Sequence, residues 1–266
     1  MSIFEAIIMG IVQGLTEFLP VSSSGHLEIL NVIFGVKGEG NLLFATVVHG
    51  GTVLSTIVVF RKEIGRLLKA FFRFRPSPEM RFVVNILVSM LPVLFVGLFL
   101  KDGVEALFTG NLLVVGTMLL VTAALLLFSG SVRPRPRLRN REMDMIDAFI
   151  IGIGQSFAVL PGLSRSGTTI STGLMLGIRR EEVASFSFLM VLIPIIGANL
   201  LEVVGGDFSQ VPGLGADVLI AGFLSSFIAG VFACRVMINL VKRGKLIWFA
   251  LYCALLGIGV IVYTLA

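Results

Sequence analysis

The sequence predicts an all-α polytopic membrane protein, with six transmembrane helices plus two re-entrant helix–loop–helix hairpins arranged as inverted-topology repeats. Three observations carry this expectation. The chain is 56% hydrophobic and only 14% charged over 266 residues, where a soluble domain carries about a quarter charged residues. Its apolar residues gather into continuous runs near the ~20 residues that cross a hydrocarbon core of about 30 Å, without the alternation of a barrel strand. Two further apolar stretches are broken midway by proline, glycine and serine, and they resemble each other.

Taken in order, Ile3–Gly35 is the first broken stretch. It has no basic leader, and Gln13 and Glu17 interrupt it, so it is not expected to be a cleavable signal. Neither half is long enough for a comfortable crossing, and irregular backbone at membrane depth survives only inside protein or beside a wet cavity. It therefore reads as a hairpin entering from outside. The run Leu42–Phe60 then goes inward, Phe82–Leu100 outward and Leu112–Phe128 inward. Ile146–Ile178, the second broken stretch, reads as a hairpin entering from the cytoplasm. Phe186–Val204 goes outward, Val218–Leu240 inward and Leu246–Ala266 outward.

Charge sets this sidedness. Lys and Arg crowd into Arg61–Arg81, Arg133–Arg141, Arg179–Arg180 and Arg235–Lys245, and are sparse around Lys37–Gly40, Lys101–Gly110 and Gly205–Asp217. The positive-inside rule puts the first group in the cytoplasm. The stretch "RPRPRLRNR" reads as a topogenic, lipid-facing loop rather than a nucleic-acid site. Cys234 and Cys253 lie in apolar spans and read as buried thiols. Trp248 and Tyr252 read as interfacial anchors.

The two broken stretches align. "AIIMGIVQGLTEFLPVSSSG" (Ala6–Gly25) matches "AFIIGIGQSFAVLPGLSRSG" (Ala148–Gly167), pairing Gly10 with Gly152, Gln13 with Gln155, Pro20 with Pro161, Ser22 with Ser164, Ser24 with Ser166 and Gly25 with Gly167. One hairpin plus two crossings then makes a unit. The chain is a single membrane domain, 1–266, with one repeat at about 1–103, its inverted copy at about 146–240, and extra crossings at about 111–129 and 246–266. Such folds place a site near the midplane, where broken helices of both repeats meet.

Gln13 and Glu17 share a helix face at i, i+4. A carboxylate at membrane depth is costly unless it faces a partner or a cavity. Pro20 limits the helix, and "VSSSGH" supplies Ser22, Ser23 and Ser24 at a helix start, with His26 in the next turn. The second elbow, "PGLSRSGTTIS", repeats the design with Ser164, Ser166 and Thr169 and adds Arg165. Free backbone N–H groups, hydroxyls and a guanidinium suit phosphate. A carboxylate can bind Mg²⁺ or Ca²⁺ or act as a base. A purely structural Arg165–Glu17 salt bridge is the plain alternative, but it would not require the serines, His26 or Thr169. The class of reaction suggested is phosphoryl-group hydrolysis on a substrate entering laterally from lipid. His49, in "VVHGGT", reads as a packed, hydrogen-bonded histidine ahead of a site residue.

"QGLTEFLPVSSSGH" and "PGLSRSGTTIS" resemble the two signature motifs of the undecaprenyl-diphosphatase family, the bacitracin-resistance type, and the resemblance covers essentially the whole chain. It implies hydrolysis of undecaprenyl diphosphate to undecaprenyl phosphate and inorganic phosphate, which recycles the lipid carrier for peptidoglycan and other envelope polymers. It implies a divalent-metal-dependent enzyme of the bacterial inner membrane, its site open to the extracytoplasmic side. The family's (E/Q)xxxE motif falls on Gln13 and Glu17, here in its glutamine form, which leaves Glu17 as the one carboxylate for metal or acid–base work. Arg165 falls where phosphate charge is clamped. Ser23 is the first candidate nucleophile, His26 the second and metal-bound water the third, with Gln13, Ser22, Ser24, Ser164, Ser166 and Thr169 as substrate-binding residues. Partners expected are a polyprenyl diphosphate, bilayer lipids and, optionally, a second copy of the chain, but not nucleic acid.

Inverted repeats are transporter architecture, so a carrier or flippase for a lipid phosphate or another anion would also want Arg165. It has less need of Glu17, Ser23 and His26 together. Phosphatidate-phosphatase-like enzymes also use "SGH" and "SR" elements, but need a histidine where Ser171 stands and a K-x6-R-P motif absent here. A membrane scaffold without catalysis would tolerate apolar replacement of the elbow residues.

Overall fold

The computed structural model describes residues 1–36, 40–100, 103, 111–131, 141–205 and 215–266, with the side chains of all but 40–42 and 201–205. The connections read above as Lys37–Gly40, Lys101–Gly110 and Gly205–Asp217, and the basic stretch up to residue 140, lie largely outside the described residues.

Helix α1 (Ile3–Phe18) opens on a capping box, in which Ser2 and Glu5 satisfy each other's backbone N–H groups, and ends in extended backbone at Leu19. Pro20 disfavours helical geometry in the residue before it, so it dictates that stop. After the short elbow comes α2 (Ser23–Phe34), closed by Gly35 in the left-handed conformation at φ 65°. Next is α3 (Gly40–Val59). A bend of 79° separates it from α4 (Arg61–Arg73), which carries Arg61, Lys62, Arg66, Lys69 and Arg73 on a short amphipathic helix. Then follow α5 (Pro78–Phe99), started by the Ser77 cap with Pro78 just inside it, and α6 (Leu112–Ser131).

The second half opens on a like pair of short helices. Helix α7 (Met145–Phe157) opens on a capping box between Asp144 and Asp147. An elbow leads to α8 (Arg165–Met175). The chain continues through α9 (Arg180–Met190), α10 (Leu192–Gly205), α11 (Ala216–Lys242) and α12 (Ile247–Leu265). The predicted run Phe186–Val204 keeps its crossing over Arg180–Leu200 but is interrupted by one turn at Val191. Pro194 explains the break: it has no N–H, and its ring crowds the carbonyl four residues earlier, that of Met190.

Among the described residues, five helices are long and apolar enough to cross a membrane, namely α5, α6, α9 with α10 taken together over Arg180–Leu200, α11 and α12, and six if the bent pair α3–α4 counts as one span. The protein is thus an all-helical, multi-pass membrane protein. Both broken stretches fold as pairs of short helices of 16 and 12 residues and of 13 and 11 residues.

Helix α1 packs along α11, α7 packs along α5, and α6 packs along α12. Small residues permit each approach, as is usual where lipid supplies no drive for helix association. At Gly10, an added Cβ would meet Gly222 O of α11 at 2.5 Å. At Gly152 it would meet Ser89 Cα of α5 at 2.9 Å, and at Gly116 it would meet Gly257 O of α12 at 3.0 Å. Gly152→Val should cost about 1–3 kcal/mol through overpacking against a backbone that cannot yield. A lowered unfolding midpoint of the detergent-solubilised variant would show it, and an unchanged midpoint would contradict this packing.

The entry to α7 and the exit from α8 are tied together away from the elbow. Arg141 donates two hydrogen bonds of 2.5 Å to the Asp147 carboxylate, and Arg141 exchanges backbone hydrogen bonds with Gly177 and Arg179. Glu182 accepts from the Met143 N–H at 3.1 Å. This clasp closes the base of the second helix pair and leaves its elbow to meet the first.

Candidate active site

The two elbows are built alike and pack against each other. Ser22 caps α2 by accepting from the Gly25 N–H at 3.2 Å, and Ser164 caps α8 by accepting from the Gly167 N–H at 3.1 Å. Ser22 Oγ lies 3.3 Å from Ser24 Oγ, and Ser164 Oγ lies 3.4 Å from Ser166 Oγ. His26 Nδ1 meets Ser22 O at 2.7 Å, and at the equivalent place Thr168 Oγ1 donates to Ser164 O at 2.8 Å. Ser166 Oγ donates across to Leu19 O at 3.1 Å, so one elbow holds the other. Gly25 and Gly162 allow this contact, since an added Cβ on Gly25 would lie 3.1 Å from Gly162 Cα. Ser22 sits at φ 70°, a left-handed conformation that is costly for a serine and characteristic of sites where the surroundings over-determine the backbone.

Where the elbows differ, their side chains turn to one carboxylate. Ser23 and Arg165 occupy matching positions after their caps, and both reach one carboxylate. Ser23 Oγ donates to Glu17 Oε2 at 2.7 Å, and the Arg165 guanidinium pairs with Glu17 Oε1. Gln13 Nε2 donates to Glu17 Oε2 at 2.9 Å, as their i, i+4 spacing predicts. Glu17 is buried, whereas the Arg165 side chain keeps 27% of its surface exposed.

These groups wall a cavity of about 210 Å³ into which Glu17, Ser22, Ser23, Ser24, Ser164, Arg165 and Ser166 all face. Seven of the ten residues picked from sequence therefore converge on one space. Gln13 lies behind Glu17 and is fully buried. Thr169 turns to the neighbouring helix, where its Oγ1 lies 2.7 Å from Ser187 Oγ, and backs Arg165 by donating to the Arg165 carbonyl at 2.9 Å. His26 turns toward α12: its Nε2 lies 2.7 Å from the Tyr252 hydroxyl, and the two rings stack with centroids 5.7 Å apart. Tyr252, read as an interfacial anchor, thus holds His26, while Trp248 is exposed.

One cavity residue departs from its sequence expectation. His49 makes the packed hydrogen bond expected of it, Nδ1 lying 2.8 Å from Ala45 O. Its Nε2 nonetheless stands in the cavity wall, 3.6 Å from Glu17 Oε2. The available signal was the pair Gly50–Gly51 beside it. At Gly51 an added Cβ would meet Phe223 O of α11 at 2.7 Å, a close approach that seats α3 beside the site.

The donor set bears on a divalent cation. Among the described residues no group of three His, Cys, Asp or Glu side chains could hold a metal ion. One carboxylate is available, and Gln13 Oε1 is buried without a hydrogen-bond partner beside it. Mg²⁺ is commonly held by one or two carboxylates plus substrate phosphates rather than by an all-protein cage. The residues fit a cation shared with a phosphorylated substrate.

A multi-pass helical bundle that sets a carboxylate, a guanidinium and two serine-capped helix starts around one cavity is built like a membrane protein suited to an anionic headgroup. The chain matches the family described as bacitracin resistance protein BacA over residues 6–259, and it belongs to that family. It is 53% identical to the undecaprenyl-diphosphatase of Bacteroides thetaiotaomicron over 270 residues, 100% of each chain. It is 53% identical over 265 residues to that of Bacteroides fragilis strain YCH46, 98% of each chain. To that of Carboxydothermus hydrogenoformans it is 38% identical over 269 residues, covering 100% of this chain and 99% of the relative.

Proposed function

We propose that this chain hydrolyses undecaprenyl diphosphate to undecaprenyl phosphate and inorganic phosphate, and so confers resistance to bacitracin by recycling the lipid carrier. The relatives carry that activity in their names over full length. The observation that carries the mechanism is the convergence of Ser23 and Arg165, from matching places in two like-built elbows, on the one carboxylate of the cavity.

In this mechanism the terminal phosphate enters the cavity with its oxygens toward the N-termini of α2 and α8, where free N–H groups favour anions. Ser23 Oγ attacks the terminal phosphorus while Glu17 Oε2, already its hydrogen-bond acceptor, takes its proton. Arg165 moves from Glu17 to the phosphoryl oxygens and offsets the charge that builds on them. The bridging P–O bond breaks and undecaprenyl phosphate leaves. Water then hydrolyses the phosphoserine, with Glu17 as base. Glu17 would hold a divalent cation, which supplies further charge neutralisation to the diphosphate when bound.

The two elbow-bearing stretches are re-entrant hairpins of inverted repeats in this reading. Reciprocal packing supports it: the first hairpin lies on α11, in the second repeat, and the second lies on α5, in the first. The matched glycines Gly10 and Gly152 sit at those two contacts. Loop charge supports an inner-membrane protein whose site opens to the extracytoplasmic side. Detergent-purified protein is expected to release phosphate from undecaprenyl diphosphate, and a chelator is expected to stop it until Mg²⁺ or Ca²⁺ is restored. No release from folded protein would contradict the activity, and undiminished release in chelator would contradict the cation.

A further inference from the structure

Helices α6 and α12 carry no part of either elbow, yet each places one hydroxyl against an elbow. Helix α12 grips the first. The Ser22 carbonyl accepts from His26 twice, from the backbone N–H at 3.2 Å and from Nδ1 at 2.7 Å. A carbonyl only accepts, so Nδ1 carries the hydrogen, and in the neutral ring Nε2 is an acceptor. The Tyr252 hydroxyl then donates to Nε2 at 2.7 Å, the two rings lying within 8° of parallel. The next residue, Cys253, is fully buried and donates from Sγ to Pro20 O at 3.6 Å. Val21, between these two contacts, shares one apolar cluster with Cys253 and with Val115 and Leu119 of α6.

Helix α6 grips the second elbow. Thr122 Oγ1 accepts from the Ser164 N–H at 3.0 Å and donates its own hydrogen to Met118 O at 3.0 Å. Gly162, at φ 91°, lets the elbow lie on α6, since an added Cβ would meet Val115 O at 2.5 Å. Thr122 is fully buried, and a buried N–H that loses its acceptor is left unsatisfied.

The two gripped residues are matched. Ser22 and Ser164 cap α2 and α8, and each is followed directly by a residue that reaches Glu17, Ser23 in one elbow and Arg165 in the other. The Gly25 and Gly167 N–H groups tie each cap to its own helix. Tyr252 and Thr122 tie the caps to a frame outside both elbows. Ser22 needs it most, because its φ of 70° persists only where the surroundings over-determine the backbone.

We propose that Tyr252 and Thr122 are positioning residues for the hydrolysis: Tyr252, acting through His26, sets Ser23, and Thr122 sets Arg165. The proposal rests on hydrolysis of undecaprenyl diphosphate at this cavity. Tyr252, His26 and Thr122 do not line the cavity, so their loss displaces the reacting groups and leaves substrate binding in place. A misplacement of about 1 Å costs about 10²-fold in rate.

The test uses detergent-purified full-length protein, with Mg²⁺ present, releasing phosphate from undecaprenyl diphosphate. Tyr252→Phe keeps the stacked ring and removes only the hydroxyl. It is expected to lower kcat by about 10–10²-fold, with KM moved far less. Thr122→Val is expected to do the same, and Thr122→Ser, which keeps the hydroxyl, to recover most of the rate. Adding Tyr252→Phe to His26→Ala is expected to cost nothing further, because its effect runs through the imidazole. The chain has two histidines, so nitrogen-15 histidine spectra can follow His26. They should show the hydrogen on Nδ1 in the wild type and a shifted Nε2 resonance in Tyr252→Phe. For Tyr252, a wild-type kcat, losses that multiply in the double variant, or an unmoved Nε2 resonance overturns the assignment. For Thr122, a wild-type kcat in the valine variant or no recovery in the serine variant does so. A change confined to KM or melting temperature overturns either. No release from folded wild-type protein would overturn the hydrolase reading instead, and the nitrogen spectra would still decide whether Tyr252 holds His26.

Discussion

Ser23→Ala is expected to lower phosphate release by at least about 10⁴-fold, the scale on which loss of a nucleophile is felt, while the unfolding midpoint stays near wild type. The hydroxyl is half-buried and makes one side-chain hydrogen bond, to Glu17 Oε2. Removing it leaves a carboxylate that Gln13 and Arg165 still satisfy, so the loss is chemical rather than structural. Quenching wild-type turnover and mapping the phosphoryl group should place it on Ser23. An adduct on His26 would contradict the assignment. So would turnover surviving in the variant by direct attack of water.

Arg165→Ala is expected to reduce turnover by about 10³-fold, as removal of a preorganised group facing transition-state charge does. Arg165→Lys should recover only part, because a point charge does not replace a planar fork of donors. The competing account is that Arg165 exists to neutralise Glu17. Breaking a buried pair by removing one partner costs about 3–5 kcal/mol, so that account demands a large fall in stability and near-normal turnover by whatever remains folded. Arg165 is far from fully buried, and its guanidinium borders the cavity. The expected result is therefore a small change in melting with a large change in rate.

Much of the architecture was open to reading because its causes are local. Pro20 stops a helix, Ser22 and Ser164 cap the next ones, and Gly10 and Gly152 mark where a partner backbone comes close. Residues that act through such local rules, Glu17, Ser23 and Arg165 among them, met in the cavity as the alignment of the two stretches implies. The break at Val191 was readable too, from Pro194. The two histidines were not. Nothing local distinguishes a ring that turns to Tyr252, 226 positions away, from one that turns into the cavity. That choice depends on how α12 and α11 seat against the elbow helices, which is a property of tertiary packing. Thr169 failed to reach the cavity for the same reason: a hydroxyl on the back of α8 found Ser187 first.

The joining of two elbows into one catalytic unit is tested most directly by a cycle of Glu17→Ala, Arg165→Ala and the double variant, each checked for folding and assayed for phosphate release from undecaprenyl diphosphate. Groups that act together are strongly non-additive. Each single variant is expected to lose nearly all turnover, and the double variant to be no slower than the slower single. Losses that multiply in the double variant, or either folded single variant turning over at the wild-type rate, would show that the two elbows do not form one site.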